Sequence, residues 1–246
     1  MPTAEAGVTF VRGVCVDPTA STPSFFSDGV MAQLAKDVEN WAPPAPAKPP
    51  TQSPPQAGLA LVVRVVSTNS AGFENNLSLV VRIPAVPSLW APPEPTASNY
   101  TELNAAHLAQ QRLVQRLREE AAQKARDGAQ ALREFTLVRS YSAVTACASV
   151  LAVMVQGLSA EISGPQDTSF LIASDLADTQ DRQLAGDFGQ HPVVLLQPCP
   201  SGSLATCQRL ADTFTAGLKR LGAGDVSVVR GELAESTVHG WLATQP

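Results

Sequence analysis

The 246-residue sequence predicts an α/β fold: a three-layer sandwich with a mostly parallel central sheet, one antiparallel edge strand and helices on both faces. Three observations predict it. Along the last hundred residues, short β-rich runs take turns with helix-period segments, which is the pattern of a parallel sheet covered on both sides. Earlier, two β-rich runs flank the turn-forming octet NSAGFENN, so one strand pair is expected to be an antiparallel hairpin. Finally, 44% hydrophobic content with a net charge of −5 describes a globular chain long enough to bury a core.

Each element follows from its own pattern. VTFVRGVCVD (8–17) is a strand that ends at an aspartate. SFFSDGVMAQLAKDVENWA (24–42) places Phe26, Val30, Leu34, Val38 and Trp41 at helical spacing, with Pro23 or Ser24 to start the helix. The low-complexity stretch APPAPAKPPTQSPPQAG (42–58) is a proline-rich loop. LALVVRVVST (59–68) and LSLVVRIPAV (77–86) are the hairpin strands, and IPAVPSLWAPPEP (83–95) is a second break. From 101 to 138 the chain is strongly helix-forming and charged, interrupted only by Gly128. Unbroken, it would run about 50 Å at ~1.5 Å per residue. Its sparse apolar positions suit a protruding hairpin or arm, or an amphipathic helix laid along the domain, with the charges forming a solvated face. Then come an apolar helix (143–158), a strand (168–176), a strand (191–199), a helix (203–223), a strand (225–231) and a closing helix (232–245). The expected architecture is Rossmann-like, one domain over 1–246, with the 42–58 loop and the 96–138 charged helical arm as insertions.

Charge and composition exclude several functions. No basic patch announces nucleic acid. MPTAEAGVTFVRGV lacks the basic start and apolar run of a signal peptide, and the apolar stretch 143–158 is too short and too rich in small residues to span a bilayer. A cytoplasmic protein without membrane contact is expected. In that compartment Cys15, Cys147, Cys199 and Cys207 are expected to be reduced and structural, and the eight-residue spacing of the last two matches no zinc knuckle. The sequons at Asn76 and Asn99 have no meaning without secretion. Trp41, Trp90 and Trp241 are expected as packing anchors. His107, His191 and His239 are scattered and form no visible triad, and LGAGD (221–225) is a helix stop rather than a nucleotide loop.

In parallel sheets, ligands sit beyond the carboxyl ends of strands, near the switch in strand order. Asp17 and Asp175 both follow predicted parallel strands there. With Thr19 and Ser21 they bring two carboxylates and two hydroxyls to one sheet edge. That oxygen-only set suits a hard cation, Mg²⁺ or Mn²⁺. The alternate spacing in DPTAS (17–21) lets one loop turn successive side chains inward.

DPTAS after a hydrophobic strand, with FLIASDLAD (170–178) carrying Asp175 later, resembles the von Willebrand factor A (VWA) domains. Their metal-ion-dependent adhesion site (MIDAS) opens with D-x-S/T-x-S and closes with an aspartate in a hydrophobic-S-D context. Between these the family places a threonine on a loop that opens a helix. SYSAVTACASVLAVM occupies that place here, with Ser142 aligning best and Ser140 and Thr145 as competitors. A serine in place of the usual threonine departs from the family's pattern. The order of elements agrees with the family over most of the chain. What the resemblance implies is a non-enzymatic protein–protein interaction module. Asp17, Thr19, Ser21 and Ser142 would hold the cation directly or through water, and Asp175 would help orient it. A partner protein's carboxylate would complete the shell.

Two other readings compete. Thr19 and Ser21 could cap the helix and Asp17 could be a turn residue, leaving a degenerate, metal-free VWA scaffold. Alternatively, a strand-end Asp17 with Asp175 and Asp178 mimics the Mg²⁺-dependent haloacid dehalogenase-like phosphohydrolases. That chemistry needs an acid/base aspartate where Thr19 stands, and a lysine against the phosphoryl group; the only lysine between Ser98 and Glu161 is Lys124, in the middle of the charged segment.

Overall fold

The computed structural model describes residues 7–18, 22–42, 55–65, 78–89, 100–135, 137, 144–177, 185–200, 203–230 and 234–243. In chain order the elements are β1 (Thr9–Val16), α1 (Ser24–Trp41), β2 (Gly58–Val65), β3 (Ser78–Ile83), α2 (Tyr100–Glu134) and α3 (Val144–Glu161), followed by β4 (Gln166–Ala173), β5 (Val193–Gln197), α4 (Leu204–Arg220), β6 (Val226–Arg230) and α5 (Ala234–Ala243). The six strands form one sheet in the order β3-β2-β1-β4-β5-β6. Every pairing is parallel except that of β2 with β3, the antiparallel edge. The predicted α/β class and the hairpin are both present.

The two-residue period of the strands divides the core into two halves. Phe10, Val14, Leu61, Val63 and Leu171 face α1, α2 and α5. Val11, Cys15, Val62, Phe170, Ile172 and Leu195 face α3 and α4. Because both faces are covered, the central strands carry apolar residues nearly throughout.

The charged segment forms one continuous helix, α2, which lies along α1 and β3. Of the two shapes its sequence allowed, this is the helix laid on the domain. From Val114 onward it buries a stripe of mostly small residues, Ala121, Ala125, Ala129 and Leu132, spaced three and four apart. Gly128 belongs to that close approach: a Cβ there would stand 2.4 Å from Val81 Cγ1. Gly128→Ala is therefore expected to destabilise by about 1 kcal/mol, because overpacking (~1–3 kcal/mol) exceeds the helix-propensity gain of ~1 kcal/mol. On α3, no described atom lies within 4 Å of a Cβ at Gly157. In urea titrations of both variants, Gly157→Ala should instead stabilise by about 0.5–1 kcal/mol. Shifts of equal sign in the two variants would refute this account.

The cysteines correct the sequence reading. Two disulfides are formed, Cys15–Cys147 and Cys199–Cys207, with Cα atoms 6.2 and 6.1 Å apart. The first joins residues 132 positions apart in the chain. They meet because α3 packs directly on β1, so closely that a Cβ at Gly13 would be 2.7 Å from Val155 Cγ2. Disulfides persist in oxidising surroundings, so the cysteines no longer support a cytoplasmic location. Among the described residues, no helix is long and apolar enough to cross a membrane.

Candidate functional site

The strand order reverses between β1 and β4: the chain leaves β1 toward β2 on one side and returns later to β4 on the other. Val16 pairs with Ala173, so the residues that follow emerge together at the carboxyl edge of the sheet. Asp17 N donates to Ala173 O at 2.9 Å, extending the ladder by one bond. The next residues on β4's side are Ser174 and Asp175. Both aspartates singled out in the sequence thus stand on neighbouring strands at the switch point, where α/β sheets place ligands.

Asp17 is 3% exposed. The fully buried Ser174 Oγ donates to Asp17 Oδ2 at 2.6 Å and accepts from Leu176 N at 2.9 Å. That second bond helps hold Leu176 in the left-handed region, at φ 60°. On the other side, Ser27 Oγ from the first turn of α1 donates to Asp17 O at 2.6 Å. A buried carboxylate is tolerable when hydrogen-bonded donors surround it.

Asp175 is fixed mainly through its backbone. Its N–H donates to Thr22 Oγ1 at 3.4 Å, and its carbonyl accepts from Gln197 Nε2 at 3.2 Å. Its Oδ1 accepts from Ala177 N at 3.0 Å, forming an Asx turn. Gln197, buried at the end of β5, also donates to Cys207 O at 3.1 Å and accepts from Arg230 Nε at 3.3 Å. It ties the Asp175 turn to the Cys199–Cys207 loop and to the end of β6.

Thr19, Ser21 and Ser142, the remaining expected ligands, lie outside the described residues, as does Ser140. Thr145 falls in the first turn of α3. That turn is anchored near the site: Cys147 is bonded to Cys15, two residues before Asp17. Sequence reasoning missed the roles of Ser174, Thr22, Ser27 and Gln197. Ser174 carried a local signal, a hydroxyl directly before a strand-end aspartate. Thr22 and Gln197 act through partners in other segments, and Ser27 through a backbone oxygen ten residues earlier.

The described donors at the site are the Asp17 and Asp175 carboxylates and the Ser174 hydroxyl. They are all oxygen, a set that fits a hard cation and no soft one. Among the described residues no three His, Cys, Asp or Glu side chains cluster to hold a metal by themselves. Asp178 of the phosphohydrolase reading lies outside the described residues. Lys124 lines a cavity beside Arg82, Ile83 and Ala85 at the opposite, amino end of β2, far along the strands from Asp17.

The histidines stay apart. His107 meets Gln111, His239 meets Asp37, and His191 lies near Phe170, where burial lowers its pKa against the raising charges of Asp167 and Asp187. Trp41 and Trp241 are packing residues as expected, the first edge-on to Phe10 at 5.5 Å. Trp90 lies outside the described residues. No family model and no curated protein matches the sequence.

Proposed function

We propose that the carboxyl edge of this sheet is a VWA-type metal-dependent adhesion site that binds a protein partner and performs no catalysis. The observation that carries this reading is the Ser174–Asp17 hydrogen bond, which orients a buried carboxylate at the switch between two adjacent parallel strands. The six-stranded, mostly parallel sheet with one antiparallel edge agrees with the resemblance in DPTAS and ASD. In this reading Asp17, Thr19, Ser21 and Ser142 hold Mg²⁺ or Mn²⁺, and Asp175 helps orient it. When bound, the ion supplies a Lewis-acidic centre with an open position for the partner's carboxylate.

The protein's own residues prepare that position. Ser174 and Ser27 hold Asp17 from two sides, and Gln197 with Thr22 holds the Asp175 turn. The Cys15–Cys147 bridge draws the start of α3 toward Asp17. With both bridges intact, the reading places the protein's work in an oxidising compartment.

Thermal unfolding tests this in EDTA, in Mg²⁺, and in Mg²⁺ with beryllofluoride, for the wild type and for Asp17→Asn. Asparagine can still accept Ser174's hydrogen bond but carries no charge. At ~100-fold excess over Kd, Mg²⁺ should add about 2.7 kcal/mol to the wild type, a rise of roughly 5–10 °C, and nothing to Asp17→Asn. Equal melting in EDTA and Mg²⁺ would sink the reading and favour the metal-free scaffold. A further rise with beryllofluoride, which mimics an aspartyl phosphate, would move the assignment to the phosphohydrolase.

A further inference from the structure

The sheet ends at β3, whose outer side has no neighbouring strand among the described residues. Gly58 N donates to Val8 O at 2.9 Å, so the even-numbered residues of β2 turn their N–H and C=O groups toward β1 and the odd-numbered ones toward β3. The antiparallel partners of those odd residues, Leu79, Val81 and Ile83, therefore bond inward. Ser78, Val80 and Arg82 turn their backbone groups outward, where no backbone group among the described residues meets them. Pro84 follows in that row without an N–H and marks where pairing stops. A row of this kind is a template for another strand.

Two features select the strand that fits. Val80 lies on the side of the sheet covered by α3, but α3 packs on β1 and β2, and Val80 is left 44% exposed. The cavity that Lys124 lines is an open groove of about 810 Å³ along this edge, bordered without a break by residues 80–85. From α2 the groove receives Glu120, Lys124 and Asp127, all exposed and none in an ion pair among the described residues. An acid–base–acid strip complements itself when a copy of it runs past in reverse.

We propose that this edge is the interface of a symmetric homodimer, in which β3 pairs antiparallel with β3 of a second copy and the two sheets become one. The two-fold axis passes between Val80 and Val80 of the copy, and Ser78 lies opposite Arg82. Every outward backbone group then has a partner, and each exposed Val80 is covered by its counterpart. The axis stands perpendicular to the joined sheet, so both α2 helices flank the joint on the same face, with Lys124 of each beside the acids of the other. The interface is separate from the carboxyl edge and does not depend on the metal assignment.

Sedimentation equilibrium of the full chain tests it, with an expected mass of twice the 25.8 kDa of one chain. Val80→Lys sets two like charges against each other on the axis and should raise the dimer Kd at least about tenfold. Lys124→Glu makes the strip wholly acidic and should weaken the dimer about as much. Reversing the whole strip, by Glu120→Lys, Lys124→Glu and Asp127→Lys together, keeps it self-complementary and should bring the Kd back to within about threefold of the wild type. The strip variants alter only exposed side chains of α2, so they decide the matter if Val80→Lys fails to fold. A wild type that stays monomeric at about 100 µM, undiminished association of Val80→Lys, or a reversed strip no better than Lys124→Glu would each overturn the proposal.

Discussion

Replacing both Cys15 and Cys147 by alanine is expected to cost about 5 kcal/mol of stability. The bridge spans a sequence separation of 132 residues, and on the loop-closure model such a loop restricts the unfolded chain by about that amount. Alanine is the informative substitute because both side chains are fully buried, so serine would add buried hydroxyls. The Cys199–Cys207 bridge has a separation of only 8, for which the same model gives about 2.5 kcal/mol. Urea titrations of the two double variants and the wild type, all with intact remaining cysteines, would measure both losses. A Cys15/Cys147 variant within about 1 kcal/mol of the wild type would refute the prediction. The loss should also reach the candidate site. Without the bridge the first turn of α3 is no longer tied to β1 two residues before Asp17, so Mg²⁺ stabilisation should weaken in this variant more than in the other.

The second large effect is expected at Asp167. Arg12 projects from β1 into the core and is 0% exposed. Burial lowers its pKa, while the hydrogen bond and charge of Asp167 act in the opposite direction. A guanidinium does not give up its proton in proteins, so the charge must be matched where it lies. Asp167 supplies both its carbonyl, at 2.8 Å from Nη1, and its Oδ2, at 3.2 Å from Nη2. The guanidinium also lies 4.6 Å from the Phe10 ring centroid and 5.8 Å from that of Trp241. Asp167→Ala removes this carboxylate from beside a buried cation, a change that costs about 3 kcal/mol in comparable buried pairs. Arg12→Met removes the charge as well as its need, and should cost no more than about 1 kcal/mol. In the Arg12→Met background, Asp167→Ala should then be nearly neutral. Additive losses in the double variant would show that the two side chains act independently and would sink this account.

Much of this fold was legible in the sequence because its causes are local. Short β-rich runs marked the strands, and apolar spacing of three and four marked α1. The octet NSAGFENN separated the two strands of the antiparallel pair. Asp17 and Asp175 could be placed at one edge because each follows a parallel strand, and parallel strands in one sheet end on the same side. The segment containing Gly128 was harder. Its charge pattern permitted an arm or a seated helix. The alanine stripe that seats it against α1 and β3 has too little hydrophobicity to announce a buried face.

By itself, then, the sequence determined the order of the elements, the class of the fold and the common edge of the two aspartates. Each of these follows from residues within a few positions of one another. Only the tertiary structure decided that Cys15 bonds Cys147, that Asp167 answers the charge of Arg12, and that Ser174 orients Asp17. It alone decided that Asp37 Oδ2 and Gln56 Nε2 are buried with no hydrogen-bond partner among the described residues. Most of these partners are more than a hundred residues apart in the chain. Backbone propensity acts over a turn or a strand, whereas such pairings depend on which face of one element packs against another. A single sequence carries no direct trace of that choice.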